Sequence, residues 1–139
     1  MTVAQVLSRP TMGWRYFMVA LGVFALCGVA IALAAGQGAP PPRELVLVAR
    51  DMAFHLPGDP APNPTLELER GERVRLVLRN EDPGMAHDFT AAGLEVATEL
   101  LAQSGTSTAV VFRAPQRAGE YPYHCTPHET LMRGLVVVR

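Results

Sequence analysis

Residues 121–134, YPYHCTPHETLMRG, place a thiol, an imidazole and a thioether on one short stretch of chain. Their spacing is Cys125-x2-His128-x3-Met132. Alternating residues precede this spacing and a valine-rich run follows it, and both patterns are typical of strands. The segment therefore predicts a β-strand that ends in a compact, donor-rich loop, with a further strand leaving the loop.

The pattern around this segment, from Glu44 onward, consists of short apolar runs separated by Gly and Pro, without a helical period long enough for a bundle. Apolar and charged residues alternate in residues 66–69 and 73–79, which gives each strand one buried face. Residues 44–139 are therefore predicted to form one all-β domain of two packed sheets. The predicted strands are residues 45–53, 65–69, 73–79, 87–91, 108–113, 120–124 and 135–138.

Two intervening segments are predicted to lie outside the strands. Residues 57–64, PGDPAPNP, contain four prolines, which lack the N–H that a sheet requires, so this segment is predicted to be a surface loop. Residues 95–102, EVATELLA, are predicted to form a short helix or turn between strands.

The donor atoms of Cys125, His128 and Met132 are soft or borderline ligands that suit copper. Two imidazoles, one thiolate and a weak axial thioether form the donor set of mononuclear blue-copper centres. His87 supplies the second imidazole, since it follows the turn at residues 80–84, NEDPG, at the start of a predicted strand. The sequence therefore predicts one copper site made of these four residues.

Other nearby donors are assigned differently. The alternatives to Met132 as axial ligand are the backbone carbonyl of Ala86 and the sulfur of Met85. His124 points to the opposite face of its strand from the neighbouring cysteine. His55 leads into the Pro-rich loop. His124 is therefore predicted to be solvent-facing or hydrogen-bonded, and His55 to lie at the surface.

The N-terminal part of the chain predicts a membrane anchor. Residues 16–35 carry no charge and are long enough to cross a bilayer core of about 30 Å as one helix. Two arginines precede this stretch, so residues 1–15 are predicted to be cytoplasmic and the domain periplasmic or extracytoplasmic. A cleaved signal peptide ending near residues 32–34 is the alternative, with the same compartment. Residues 36–43, GQGAPPPR, form a Pro-rich linker.

Cysteine usage and charge narrow the possible functions. If Cys27 lies within the predicted span, it cannot meet Cys125 in a disulfide, so Cys125 is a free thiol. The formal net charge is -1 and charged residues make up 18% of the chain, which indicates neither a nucleic-acid-binding face nor a polybasic membrane patch.

The donor segment resembles that of the cupredoxins, the small blue-copper family that includes plastocyanin, pseudoazurin and amicyanin. The resemblance covers residues 44–139, and residues 125–138, CTPHETLMRGLVVV, look closest to amicyanin, with one more residue between His128 and Met132. It implies a Greek-key β-sandwich, one type 1 copper ion and one-electron transfer. It also implies that His128 is the ligand nearest to solvent, inside an apolar patch that suits brief docking.

The resemblance and the anchor together predict membrane or periplasmic redox proteins as partners: a cytochrome, a quinol-oxidising complex or a terminal oxidase. The lipid bilayer is a further partner, through the N-terminal helix. Catalysis is not expected, because the chain has only four histidines and an oxidase or nitrite reductase needs a further copper site. Copper delivery or sensing, in which Cu(I) is bound and released, is the alternative function.

Overall fold

The computed structural model describes residues 39–139. Within them, the short runs of alternating apolar and polar residues form β-strands. One sheet has four strands and the other has five. Within these residues the strands are β1 Arg43–Arg50, β2 Ala53–His55, β3 Leu66–Leu68, β4 Arg73–Asn80, β5 Thr90–Ala91, β6 Val96–Ala97, β7 Ser107–Arg113, β8 Gly119–His124 and β9 Arg133–Val138.

In both sheets the spatial order of the strands differs from their order in the sequence. The four-stranded sheet is ordered β2-β1-β4-β7, and the five-stranded sheet is ordered β3-β9-β8-β5-β6. β1 pairs in parallel with β4, and β3 pairs in parallel with β9, whereas the other strand pairs are antiparallel. The chain therefore crosses repeatedly between the sheets. The predicted all-β domain with two sheets is confirmed.

The core is formed by the inward faces of the strands, and three aromatic rings join the sheets. Phe54 of β2 packs edge-on against Tyr123 of β8, with ring centroids 5.5 Å apart. Phe89 lies 6.1 Å from Phe54 and stacks on Tyr123 at 5.1 Å. All three rings are fully buried. Because Tyr123 is two residues before Cys125, this aromatic cluster anchors the strand that leads into the donor loop.

The predicted strand at residues 45–53 is wrong in one respect, because the chain reverses within it. Asp51 and Met52 have φ values of 54° and 58°, and Arg50 pairs with Ala53 across them. A two-residue reversal with positive φ at both positions matches the right-handed twist of a hairpin. The neighbouring carboxylate of Asp82 accepts hydrogen bonds from the backbone N–H groups of Asp51 and Met52.

The segment at residues 95–102, predicted to be a short helix or turn, does not form a helix. A single 3-10 turn, Ala92–Leu94, precedes this segment, and β6, Val96–Ala97, lies within it. The backbone of this segment instead forms hydrogen bonds with residues 87–91. The backbone N–H of Thr98, for example, donates to the carbonyl of Phe89 at 2.9 Å. The predicted strand 87–91 is correspondingly shorter, since only β5 is regular and His87 pairs with Leu101 through an isolated bridge. Tertiary hydrogen bonding thus overrides local helical preference.

Outside the strands, the Pro-rich segment 57–64 is a loop between β2 and β3, as predicted. β1 begins at Arg43, one residue inside the predicted linker. Residues 41–139 form one compact unit. The predicted anchor at residues 16–35 lies outside the described residues. Among residues 39–139, no helix has the length and hydropathy needed to cross a bilayer.

Candidate metal centre

Three of the predicted ligands converge at one edge of the sandwich. The donor atoms of His87, Cys125 and His128 all lie within 4.8 Å of one another. The sulfur of Cys125 is 3.7 Å from Nδ1 of His87 and 3.7 Å from Nδ1 of His128. His87 and Cys125 are fully buried, whereas His128 is half-buried. The two imidazoles thus face one thiol, and only the imidazole of the loop reaches solvent.

The donor loop is held in shape by its own backbone. Cys125 follows β8 directly, and the chain makes one 3-10 turn at Thr126–His128. His128 N–H donates to the carbonyl of Cys125 at 3.1 Å, and Met132 N–H donates to the carbonyl of His128 at 2.9 Å. Cys125 N–H closes the loop by donating to the carbonyl of Met132 at 2.9 Å. These backbone hydrogen bonds therefore fix the positions of Cys125, His128 and Met132 relative to one another without a bound metal.

The axial candidates differ in burial. Met132 is fully buried at the base of the donor loop, whereas the side chain of Met85 is 44% exposed. Burial in the core next to the thiol is what an axial thioether requires, so this comparison favours Met132 over Met85.

His87 reaches the site from a different part of the chain. It precedes β5 and forms an isolated bridge with Leu101, in which the two residues exchange backbone hydrogen bonds of 3.1 and 2.8 Å. Its Nδ1 faces Cys125, and its Nε2 lies 2.9 Å from a carboxylate oxygen of Asp82. A carboxylate can only accept, so Nε2 carries the ring proton and Nδ1 presents a lone pair. His87 therefore has the tautomer of a metal ligand.

The protonation states follow from burial and hydrogen bonding. Burial lowers the pKa of His87 below its usual value, partly offset by Asp82, so the imidazole is neutral at pH 7. Burial raises the pKa of the Cys125 thiol, although the backbone N–H groups of Asp88 and His128 oppose this. Burial would also raise the pKa of Asp82, but the N–H groups of Met52 and Asp51 and the ring of His87 hold it below the usual value. The site thus combines the neutral imidazole of His87, a thiol and a fixed anion.

The geometry fits a single metal ion. A nitrogen and a sulfur ligand lie about 2.0 Å and about 2.3 Å from a bound divalent ion of the first transition row, so at about 120° they are separated by about 3.7 Å. Both sulfur-to-nitrogen separations have this value in the structure, 3.7 Å. Two imidazoles and a thiolate, with a weak thioether such as that of the buried Met132, are the donor set that would hold copper for electron transfer.

A two-sheet sandwich with this donor set at its edge defines the class of type 1 copper proteins. The chain belongs to the cupredoxin-like domain family, whose model matches residues 23–138. His87, Cys125, His128 and Met132 are arranged as the type 1 copper site of that family. The prediction of copper as cofactor is confirmed.

Solved structures of blue-copper proteins share the fold. Auracyanin B is 23% identical with a TM-score of 0.57, over 74% of this chain and 93% of that chain. Auracyanin A, a "blue" copper protein from Chloroflexus aurantiacus, is 21% identical with a TM-score of 0.52, over 71% and 100%. Rusticyanin from Thiobacillus ferrooxidans is 22% identical with a TM-score of 0.57, over 73% and 79%. No match was found among curated protein sequences.

Two features of the site depart from what the sequence indicates. Asp82 is predicted only to be part of the turn at residues 80–84, whereas in the structure it contacts His87. The only signal is an acidic residue five positions before a ligand histidine, which is weak without the fold. His55 is not at the surface as predicted, since it is 7% exposed and its ring nitrogens have no hydrogen-bond partner in the described part of the chain. His124 is half-buried.

The raised pKa of Cys125 gives a testable pH dependence. The metal-free protein carries a thiol near neutral pH and the metal-bound protein a thiolate, so binding releases one proton. The Cu(I) affinity, measured by chelator competition between pH 6 and 8, is therefore expected to rise about tenfold per pH unit. A Cys125→Ser variant serves as control and should lose this slope. If the Cu(I) affinity of the unaltered protein were as independent of pH as that of the variant, the thiol could not be protonated in the metal-free protein.

Proposed function

We propose that this chain transfers single electrons through one type 1 copper ion. The observation that carries the proposal is the set of His87, Cys125 and His128, held with equal 3.7 Å sulfur-to-nitrogen separations. Copper supplies a one-electron change between Cu(I) and Cu(II) when it is bound. The protein's part is to keep the ligands in place during that change, and the backbone hydrogen bonds of the donor loop do this. No group for substrate chemistry is required.

The edge of the domain near His128 suits brief contact with partners. Exposed apolar side chains occur in both segments that carry the ligands, where Met85 is 44% exposed and Leu131 58%. Leu100, next to the bridge partner of His87, is 54% exposed. Pro83 and Pro127 are exposed in the same segments. A small apolar surface of this kind favours weak, short-lived docking over stable assembly. Electrons would enter and leave through the half-buried imidazole of His128.

The partners we propose are redox proteins in or on the same membrane, such as a cytochrome, a quinol-oxidising complex or a terminal oxidase. The support comes from the sequence, in which the uncharged residues 16–35 precede a short Pro-rich linker. A tether of this kind would hold the domain on the periplasmic or extracytoplasmic side and favour partners within reach of the bilayer. We also expect the chain to have no enzymatic activity of its own.

The deciding experiment is to load the full-length protein with Cu(II) and record its visible spectrum and its voltammogram. We expect an intense thiolate-to-copper absorption band that gives a blue protein, bleached reversibly by one electron per copper. Zinc-loaded protein, which has no such redox change, is the matched blank. A colourless protein that holds only Cu(I) and passes it to a chelator would instead establish copper delivery.

A further inference from the structure

Asp82 is a buried carboxylate in direct contact with a copper ligand. The residue is 8% exposed, and its Oδ2 lies 2.9 Å from Nε2 of His87, on the side of the ring opposite to Cys125. His87 is itself fully buried. Among the described residues, no carboxylate has a corresponding hydrogen bond to His128. The two imidazoles of the site therefore differ, since one is paired with an anion and the other is not.

The carboxylate is itself held in place by several donors. Oδ1 accepts from the backbone N–H of Asp51 at 2.7 Å, and Oδ2 accepts from the backbone N–H of Met52 at 3.1 Å. The backbone N–H of Asp82 donates to Oδ1 of Asn80 at 2.9 Å. The Asn80 side chain, fully buried, donates in turn to the carbonyls of Met85 and Leu101. Asp82 thus cannot rotate away from His87 without breaking several hydrogen bonds.

This arrangement has two consequences for the ring. Because the carboxylate accepts from Nε2, the proton stays on that nitrogen and the lone pair of Nδ1 points to the thiol. A fixed negative charge on the far side of the ring also makes the imidazole a stronger electron donor. Such a ligand stabilises Cu(II) more than Cu(I), because the higher charge gains more from it.

We propose that Asp82 is a positioning residue of the copper centre, which fixes the orientation and tautomer of His87 and lowers the reduction potential. The effect on the potential rests on the proposed electron-transfer function, whereas the effect on the tautomer does not. The same carboxylate stabilises the hairpin turn between β1 and β2, so the fold of this turn and the electronic state of the copper ligand depend on one side chain.

The test uses the full-length protein with Asp82→Asn, which removes the charge and keeps the shape. Glu81→Gln is the matched control, because it removes the same charge from an exposed neighbouring residue. In a spectroscopic redox titration we expect Asp82→Asn to shift the ratio of Cu(II) to Cu(I) affinity at least tenfold toward Cu(I), which is a rise of about 59 mV for a one-electron couple. The control should shift this ratio less than twofold. Equal shifts in the two variants would overturn the proposed effect on the potential.

A second measurement needs neither copper nor a stable variant. Nitrogen-15 NMR of the metal-free protein reports which ring nitrogen of His87 carries the proton. We expect a protonated Nε2 whose hydrogen exchanges slowly with water, since it is buried and bonded to Asp82. A proton on Nδ1 would overturn the proposal even if Asp82→Asn fails to fold. A protein that shows the expected tautomer but forms no blue site would contradict the proposed function and leave the role of Asp82 in place.

Discussion

Replacing Cys125 with serine will abolish the intense visible absorption of the Cu(II)-loaded protein. The thiolate of Cys125 is the ligand whose charge transfer to Cu(II) gives the intense band. Its sulfur lies 3.7 Å from both imidazole nitrogens. The Cu(I) affinity should fall by more than about 100-fold, because changes to partners of the ligands alone already cost about 10- to 100-fold. Visible spectroscopy and chelator competition measure the two effects.

Cys27→Ser is the matched control for this substitution, since Cys27 is the chain's other cysteine. It should leave both the absorption band and the affinity unchanged. Circular dichroism of Cys125→Ser should match that of the unaltered protein, because the substitution changes little volume. A blue band that persists in Cys125→Ser, or disappears in Cys27→Ser, would contradict the assignment of Cys125 as the copper thiolate.

Replacing Phe54 with alanine will cost about 3–5 kcal/mol of unfolding free energy, the usual loss for a fully buried phenylalanine. Phe54 is 0% exposed and its ring packs against Tyr123 of the opposite sheet and against Phe89, the residue before β5. Removing the ring leaves a cavity in the core, which the surrounding side chains fill only in part. Urea denaturation of the metal-free protein measures the change through the shift of its midpoint.

Val111→Ala is the control for this loss. Val111 also lies in a strand of the same sheet, but its side chain is 53% exposed. Its replacement should change the unfolding free energy by no more than about 0.5 kcal/mol, as is usual at surface positions. If the two variants unfolded at similar urea concentrations, the aromatic cluster would not be the contact that joins the sheets.

The features that were predictable from the sequence are those in which local chemistry decides the outcome. The alternation in β4 marks its buried face, and the spacing Cys125-x2-His128-x3-Met132 fits a donor loop because three ligands lie close together along the chain. His87 was predictable as the fourth ligand since blue-copper chemistry requires a second imidazole. The core position of Tyr123 follows from the same alternation that directs Cys125 inward.

The features that were missed depend on contacts between distant segments. The hairpin at Asp51 and Met52 lacks the glycine that normally marks such a turn, and a carboxylate thirty-one residues away stabilises it. β6 lies in a segment with helix-forming residues, and it becomes a strand because its backbone pairs with β5. The role of Asp82 was also hidden, because its contact with His87 depends on how the turn folds.

The side-chain amide of Asn63 in the Pro-rich loop has a consequence for the kinetics of folding. Its Oδ1 accepts from the backbone N–H of Phe54, and its Nδ2 donates to the carbonyl of Leu131 in the donor loop, sixty-eight residues further along the chain. Closing so large a loop has a high entropic barrier, and all-β domains rich in such distant pairings fold in milliseconds to seconds. The donor loop is therefore expected to dock against the Pro-rich loop late, after β2 and the Pro-rich loop have come together.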